Sequence, residues 1–129
     1  MTRPLRFVAP GLPHHVILRG NNRRRLFSYP SDYQRFLYYL ERGLRDVGCW
    51  MHAAALMTNH VHLILSPPDR RALSDCVRAF SQRYAQYRNR RKNASGKLFE
   101  QRFAAFPILH ERQLAVTTVY VDLNPQRAG

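Results

Sequence analysis

The sequence predicts an α+β fold, a ferredoxin-like split β-α-β sandwich with a four-stranded antiparallel sheet and two helices on one sheet face. Three features indicate it: short strand-like segments, two long helical stripes, and the order strand, helix, strand, strand, helix, strand. A further helix is predicted after the last strand. We expect residues 1–129 to form a single domain, because a chain of this length supports one core.

The first strand and the first helix are each marked by turn or capping residues. Residues 14–19 have β-branched content, and the turn residues 20–22 end this strand. A helix begins at Pro30-Ser31, with Ser31 and Gln34 in capping-box spacing, and ends before Gly48. Its predicted apolar stripe consists of Tyr33, Phe36, Leu37, Leu40, Leu44 and Val47.

The middle of the chain predicts a β-hairpin followed by a long helix. Residues 49–56 and 60–65 form its strands, and Pro67-Pro68 stops the second. The helix runs from about residue 70 to a turn at 93–96. Its apolar face is predicted to contain Leu73, Cys76, Val77, Phe80, Tyr84 and Tyr87.

The end of the chain predicts a last strand and a last helix. The fourth strand is expected at about residues 103–108. The final helix begins near Glu111 and stops by Asn124, since Pro125 disfavours helical geometry in the residue before it. This helix is expected to lie on the sheet face that the first two helices leave open.

The charge balance indicates a polyanionic partner. The chain has 21 basic and 8 acidic residues, a formal net charge of +13, which favours nucleic acid or an anionic membrane. No membrane partner is expected, because the sequence has neither a spanning apolar stretch nor a signal peptide. We therefore expect a cytoplasmic protein. Cys49 and Cys76 lack paired spacing and are predicted to be small buried hydrophobes.

The pattern His60-Val61-His62 gives the chain its most specific candidate site. Alternate side chains of a strand share a face, so the two imidazoles could bridge a divalent metal ion. The same pattern also occurs on strands as surface or packing histidines. Tyr120 and Asn124 are four residues apart on the predicted last helix and therefore share a helix face.

The chain resembles the single-tyrosine HUH transposases of bacterial insertion sequences, and most closely the REP-associated tyrosine transposases, which process repetitive extragenic palindromes. The resemblance spans nearly the whole chain in the right order. The segments that carry it are HHV at 14–16 with RGNN at 19–22, LMTNHVHL at 56–63, Arg83-Tyr84 with Asn89, GKLFEQRF at 96–103 and YVDLNP at 120–125 with RAG at 127–129.

The resemblance implies one HUH endonuclease domain that cuts single-stranded DNA and transfers the strand. It implies that His60, His62 and Asn124 hold a divalent ion, Mg²⁺ or Mn²⁺, and that Tyr120 is the nucleophile that forms a 5′-phosphotyrosine. The expected substrate is single-stranded DNA with hairpins or palindromic repeats. A homodimer is possible, because mobile relatives act as dimers.

Basic residues near these motifs are candidates for DNA backbone contacts, although each run could also be a solvated face. They are Arg23, Arg24, Arg25, Arg83, Arg88, Arg90, Arg91, Lys97 and Arg102. Tyr84 and Tyr87 are alternative nucleophiles, but we expect both to pack in the core. The other histidines are expected to be structural or incidental: His14, His15, His52 and His110.

Two other functions remain open from the sequence. A ferredoxin-like domain can be a non-catalytic nucleic-acid-binding platform, which would favour exposed aromatic side chains on the central strands. Replication initiators and relaxases share the HUH chemistry but are usually larger proteins. The DNA sequence recognised and the preferred metal are not encoded in any of these patterns.

Overall fold

The sheet and its two covering helices have the predicted order. The computed structural model describes residues 8–110 and Gln113. Four antiparallel strands lie in the order β2-β3-β1-β4: β1 (His14–Arg19), β2 (Trp50–Leu56), β3 (His60–Ser66) and β4 (Ala104–Pro107). The helices are α1 (Pro30–Val47) and α2 (Ala72–Arg91). The predicted C-terminal helix, with Tyr120 and Asn124, lies outside the described residues.

The core lies between the helices and one face of the sheet. Strand alternation turns Val16 on β1 and Val61, Leu63 and Leu65 on β3 toward the helices, and all four are fully buried. The helices contribute their predicted stripes, of which these members are fully or nearly fully buried: Phe36, Leu40, Leu44, Leu73, Cys76, Val77, Phe80 and Tyr84. The apolar faces of the helices and of the sheet thus pack into one core, and the candidate site lies on the opposite face of the sheet.

The start of α1 is capped by a residue other than the predicted pair. Pro30 begins the helix, but the fully buried Asp32, not Ser31 with Gln34, accepts the orphan N–H groups, at 2.8 Å from Ser28 and 3.1 Å from Tyr29. Burial raises the pKa of Asp32, but these two hydrogen bonds and the nearby Arg91 outweigh it and lower the pKa overall. The capping prediction was therefore wrong by two residues: the box pairs Tyr29 with Asp32, not Ser31 with Gln34.

Arg88 is a structural residue, and its prediction as a DNA contact was wrong. Its side chain is 2% exposed and donates to the backbone carbonyls of Arg25 and Leu26. The hydroxyl of Tyr84 also donates to the Leu26 carbonyl, at 2.6 Å. These contacts tie the segment after β1 to α2, because carbonyls without strand or helix partners are satisfied by buried donors.

Two further properties of the described part follow from its helices and cysteines. Between residues 8 and 110, no helix combines the length and the apolar character needed to cross a bilayer. Cys49 and Cys76 are both buried, as predicted, and no disulfide joins them.

We expect Arg88→Ala to lower the free energy of unfolding by about 3 kcal/mol, because it removes a buried side chain whose guanidinium donates to the carbonyls of Arg25 and Leu26. The measurement is urea denaturation. Arg90→Ala is the matched control, since Arg90 is exposed two residues away on the same helix, and it should change stability by no more than about 0.5 kcal/mol. Equal stabilities of the two variants would show that the Arg88 contacts do not stabilise the fold.

Candidate active site

The sheet face opposite the helices carries three histidines from two neighbouring strands. In the antiparallel register of β1 and β3, Arg19 lies opposite His60, Ile17 opposite His62, and His15 opposite Ile64. Residues two apart share a face, so His60 and His62 project together, as predicted, and His15 lies diagonally across from His62.

Hydrogen bonds fix the two central imidazoles. The His60 and His62 ring centroids are 4.8 Å apart, and those of His15 and His62 are 5.2 Å apart. Nε2 of His15 lies 2.9 Å from Nδ1 of His62, and Nδ1 of His60 lies 2.9 Å from Oδ1 of Asn59. An amide oxygen only accepts, so His60 donates from Nδ1 and its Nε2 keeps a lone pair.

The electrostatics keep these imidazoles neutral. Burial, with the nearby His15, His60 and Arg19, lowers the pKa of His62 to about 4. Burial and Arg19 also lower the pKa of His60, and burial lowers that of His15. A metal ligand must be a neutral imidazole, and near neutral pH the environment already supplies that form.

The two histidines line a shallow hollow of about 470 Å³. Its other lining residues are Arg19, Gly20, Arg23, Asn59 and Glu100. Two arginines and two imidazoles in one concave surface suit a ligand that carries negative charge, such as a phosphodiester.

Gly20 is required where the hollow meets the turn after β1. A Cβ at this position would lie 2.0 Å from the carbonyl oxygen of Arg24, so no larger residue fits. The Gly20 N–H donates to the Asn59 carbonyl at 2.8 Å, which joins this turn to the start of β3. The hollow is therefore bounded by connected backbone.

The donor set of the hollow fits a divalent ion in part. His60 and His62 supply two neutral imidazoles, and each has a hydrogen-bonded partner on its other ring nitrogen, as metal-binding histidines usually do. Within residues 8–110 and Gln113, no group of three or more His, Cys, Asp or Glu side chains could hold a metal ion. A complete site would need a ligand of another kind or from another part of the chain.

Sequence reasoning missed three residues of this surface: His15, Arg19 and Glu100. His15 was expected to be structural or incidental, but it is bonded to a candidate ligand. The sequence alone shows that His15 and Arg19 share one face of β1. It does not show which residues of β3 lie opposite them. His14, by contrast, is fully buried and bonds to the backbone of Ala9 and Leu12, which is a structural role.

The predicted DNA-contact residues fall into exposed and structural groups. Five are exposed: Arg23, Arg25, Arg83, Arg90 and Lys97. Arg102 is half-buried and lines a neighbouring cavity. Arg24 donates to the carbonyl of Lys97 and to the side chain of Asn89, and Arg91 pairs with Asp32 at 2.7 Å. Arg24 and Arg91 thus hold the scaffold together while remaining partly exposed.

The alternative tyrosines belong to the core side of the sheet. Tyr84 is fully buried, and burial raises its pKa far above the usual value. The hydroxyl of Tyr87 donates to Oδ1 of the buried Asp32 at 3.2 Å. Neither phenol lines the histidine hollow.

The sheet carries a His-x-His strand on its open face, the arrangement that the resemblance to HUH transposases predicts. Comparison with known proteins agrees: the family described as "Transposase IS200 like" matches residues 9–124. The chain belongs to this transposase family. No curated protein matched the sequence.

Two solved structures share the fold. One is a REP-associated tyrosine transposase bound to a REP hairpin, with a TM-score of 0.78 and 18% identity over 97% of this chain and 73% of that chain. The other is a Deinococcus radiodurans R1 protein assigned as a transposase, with a TM-score of 0.62 and 18% identity over the full length of both chains.

We expect the chain to lose stability on acidification because of His62. Its pKa falls from 6.5 in the unfolded chain to about 4 in the folded one, so unfolding takes up a proton below pH 6.5. The contribution is constant above pH 6.5 and falls by up to about 3 kcal/mol as the pH drops toward 4. Urea unfolding of the wild type and of His62→Gln measures it.

The wild type should lose more stability than His62→Gln between neutral pH and about pH 4.5. His52→Gln is the control, since His52 is an exposed histidine on β2. If His62→Gln and the wild type lose the same stability over this range, His62 does not have the lowered pKa.

Proposed function

We propose that this transposase is a metal-dependent single-stranded DNA endonuclease and strand transferase that forms a 5′-phosphotyrosine through Tyr120. The observation that carries the proposal is the pair of neutral imidazoles, His60 and His62, side by side in a basic hollow of an IS200-like transposase. Such a pair is suited to a divalent ion and a phosphodiester at once.

His60 and His62 would hold the ion, with Asn124 as a further ligand by resemblance to the family. Nδ1 of each ring lies at hydrogen-bond distance from a neighbouring side chain, so each imidazole would hold the ion through Nε2. For His62 this requires Nδ1 to donate to Nε2 of His15. When bound, Mg²⁺ or Mn²⁺ would neutralise a non-bridging phosphate oxygen and the charge on the leaving 3′ oxygen.

The covalent step exchanges one phosphodiester for another. The Tyr120 phenol loses its proton and its oxygen attacks phosphorus; a tyrosine O–P bond forms as the bond to the 3′ oxygen breaks, and that oxygen leaves as a 3′ hydroxyl. Bond energy is conserved in the 5′-phosphotyrosine, so a second 3′ hydroxyl can reverse the step and join a new strand. Arg19 and Arg23 line the hollow and would place positive charge beside the phosphate.

The proposed substrate is single-stranded DNA that contains a hairpin or palindromic repeat. Its support is the fold shared with a transposase solved on a REP hairpin and the formal charge of +13 on this chain. The expected homodimer stays a prediction.

A binding platform without catalysis is less well supported. Platforms of this fold stack bases on exposed aromatic side chains of the central strands. Here β1 and β3, the central pair, consist of HHVILR and HVHLILS and contain no phenylalanine, tyrosine or tryptophan. Their open face instead carries imidazoles.

Tyr120→Phe should abolish covalent adduct formation with a single-stranded hairpin oligonucleotide in Mg²⁺ or Mn²⁺, because the variant lacks the attacking oxygen. The measurement is the shifted protein band on a denaturing gel with labelled DNA. Tyr87→Phe is the matched control and should retain the adduct, since Tyr87 bonds to Asp32. An adduct with Tyr120→Phe, or none with the wild type on any hairpin, would refute the proposal.

His15→Phe should weaken Mn²⁺ binding by about tenfold to a hundredfold, because it removes the acceptor that holds Nδ1–H of His62. Isothermal titration calorimetry with the metal alone is the measurement. His15→Gln keeps an acceptor oxygen at a similar reach and should stay within a few-fold of the wild type. Equal affinities of His15→Phe and the wild type would show that His15 does not orient this ligand.

A further inference from the structure

A second cavity, of about 610 Å³, lies beside the histidine hollow. We propose that it binds one unpaired nucleotide of the DNA strand next to the nucleotide whose phosphate is cleaved; this rests on the proposed function. Its walls are the end of β1, the first half of α2 and residues 99–103. The residues that α2 contributes were not among the candidates for DNA contact.

The cavity and the hollow share one wall. Arg19 and Glu100 line both spaces. The Glu100 N–H donates to the Arg19 carbonyl at 2.8 Å, and Gly20 forms a β-bridge with Phe99. This wall is held by backbone hydrogen bonds, so its position is fixed. A DNA strand that continued past this wall from a phosphate in the hollow would bring an adjoining nucleotide to the cavity.

The rim of the cavity is strongly basic. Five guanidinium groups line it, with Glu100 as the single carboxylate among the lining residues; the five are Arg19, Arg70, Arg71, Arg78 and Arg102. Arg78 lies 3.5 Å from Asp75, but 72% of its side chain is exposed. Exposed ion pairs are weak, so Arg78 can exchange this partner for a phosphate.

The floor of the cavity is apolar and partly aromatic. Leu18 and Val77 are buried there, and Phe99 and Phe103 are half-buried. The Phe99 ring is anchored on the core, 6.3 Å from the Tyr84 ring. Aromatic side chains inside a basic groove are the combination that binds single strands, because bases stack on the rings while the phosphates meet the cations.

The volume is large enough for a nucleotide. Pockets for small-molecule ligands span roughly 300–1,000 Å³, and this cavity lies inside that range. A base in a duplex is already stacked and paired, so only an unpaired nucleotide can place its base on the phenylalanine floor. The arginine rim then meets the phosphates on either side of that base.

The first test compares two charge-matched double variants. Arg70→Gln/Arg71→Gln removes two exposed arginines from the rim, and Arg42→Gln/Arg45→Gln removes two exposed arginines from α1 that do not line the cavity. Affinity for a hairpin oligonucleotide with single-stranded flanks is measured in EDTA over a series of salt concentrations.

The rim variant should bind at least tenfold more weakly than the wild type, and its salt dependence should be less steep by about 0.7 for each phosphate that the rim no longer neutralises. The α1 variant should stay within about twofold of the wild type. Arg78→Gln, at a third rim position, gives an independent measurement if the double variant does not fold.

The second test locates the nucleotide. Abasic sites are placed one at a time along the single-stranded flanks, and one position next to the cleavage site should weaken wild-type binding. That sensitivity should disappear in Phe103→Leu, which keeps an apolar side chain but removes the ring.

The inference is wrong if both double variants bind like the wild type, or if no abasic position distinguishes the wild type from Phe103→Leu. Either result can occur while the wild type still forms the Tyr120 adduct, and the proposed function would then stand alone. If the wild type forms no adduct, the proposed function fails, whatever the binding data show.

Discussion

The antiparallel register of β1 and β3 is the constraint on which the candidate site depends. It faces Val16, Val61 and Leu63 toward the helices and leaves His15, His60 and His62 on the other side. Because side chains alternate, a shift of β3 by one residue would bury the imidazoles against the helices and expose the valine and leucines. Burial of these apolar side chains therefore fixes the position of the site, because the register that buries them also places the three histidines on the open face.

The basic residues of the chain serve two purposes that the sequence alone does not separate. Arg88 donates hydrogen bonds to backbone carbonyls, and Arg91 forms an ion pair with Asp32, so both stabilise the fold. Others line the hollow or the neighbouring cavity, where Arg19 belongs to both. Some basic side chains are thus used inside the fold, and others lie near the imidazoles, where a phosphodiester would meet their charge.

The sequence predicted the features that depend on residues close together in the chain. Strand alternation placed His60 and His62 on one face, and helical periodicity found the buried stripes, because both depend on neighbours in sequence. His15 could not be found in this way, since its bond to His62 joins residues 47 apart and requires the strand register. Arg88 was misjudged for a similar reason: a guanidinium is buried only where tertiary structure supplies carbonyl acceptors. The cap of α1 was misassigned because Ser31 and Gln34 have the spacing of the local motif. The side chain that caps the helix, Asp32, is buried, and burial depends on tertiary structure.

The central claim is that the imidazoles of His60 and His62 and the phenol of Tyr120 meet at one divalent ion. Paramagnetic Mn²⁺ tests this most directly, because it broadens the NMR signals of nearby nuclei. Substoichiometric Mn²⁺ should broaden the ring signals of His60, His62 and Tyr120 first, and should leave those of Trp50, at the other end of the β2–β3 ladder, sharp. If the Tyr120 signals stayed sharp while both histidine signals disappeared, the phenol would not be at the metal and the account would be contradicted.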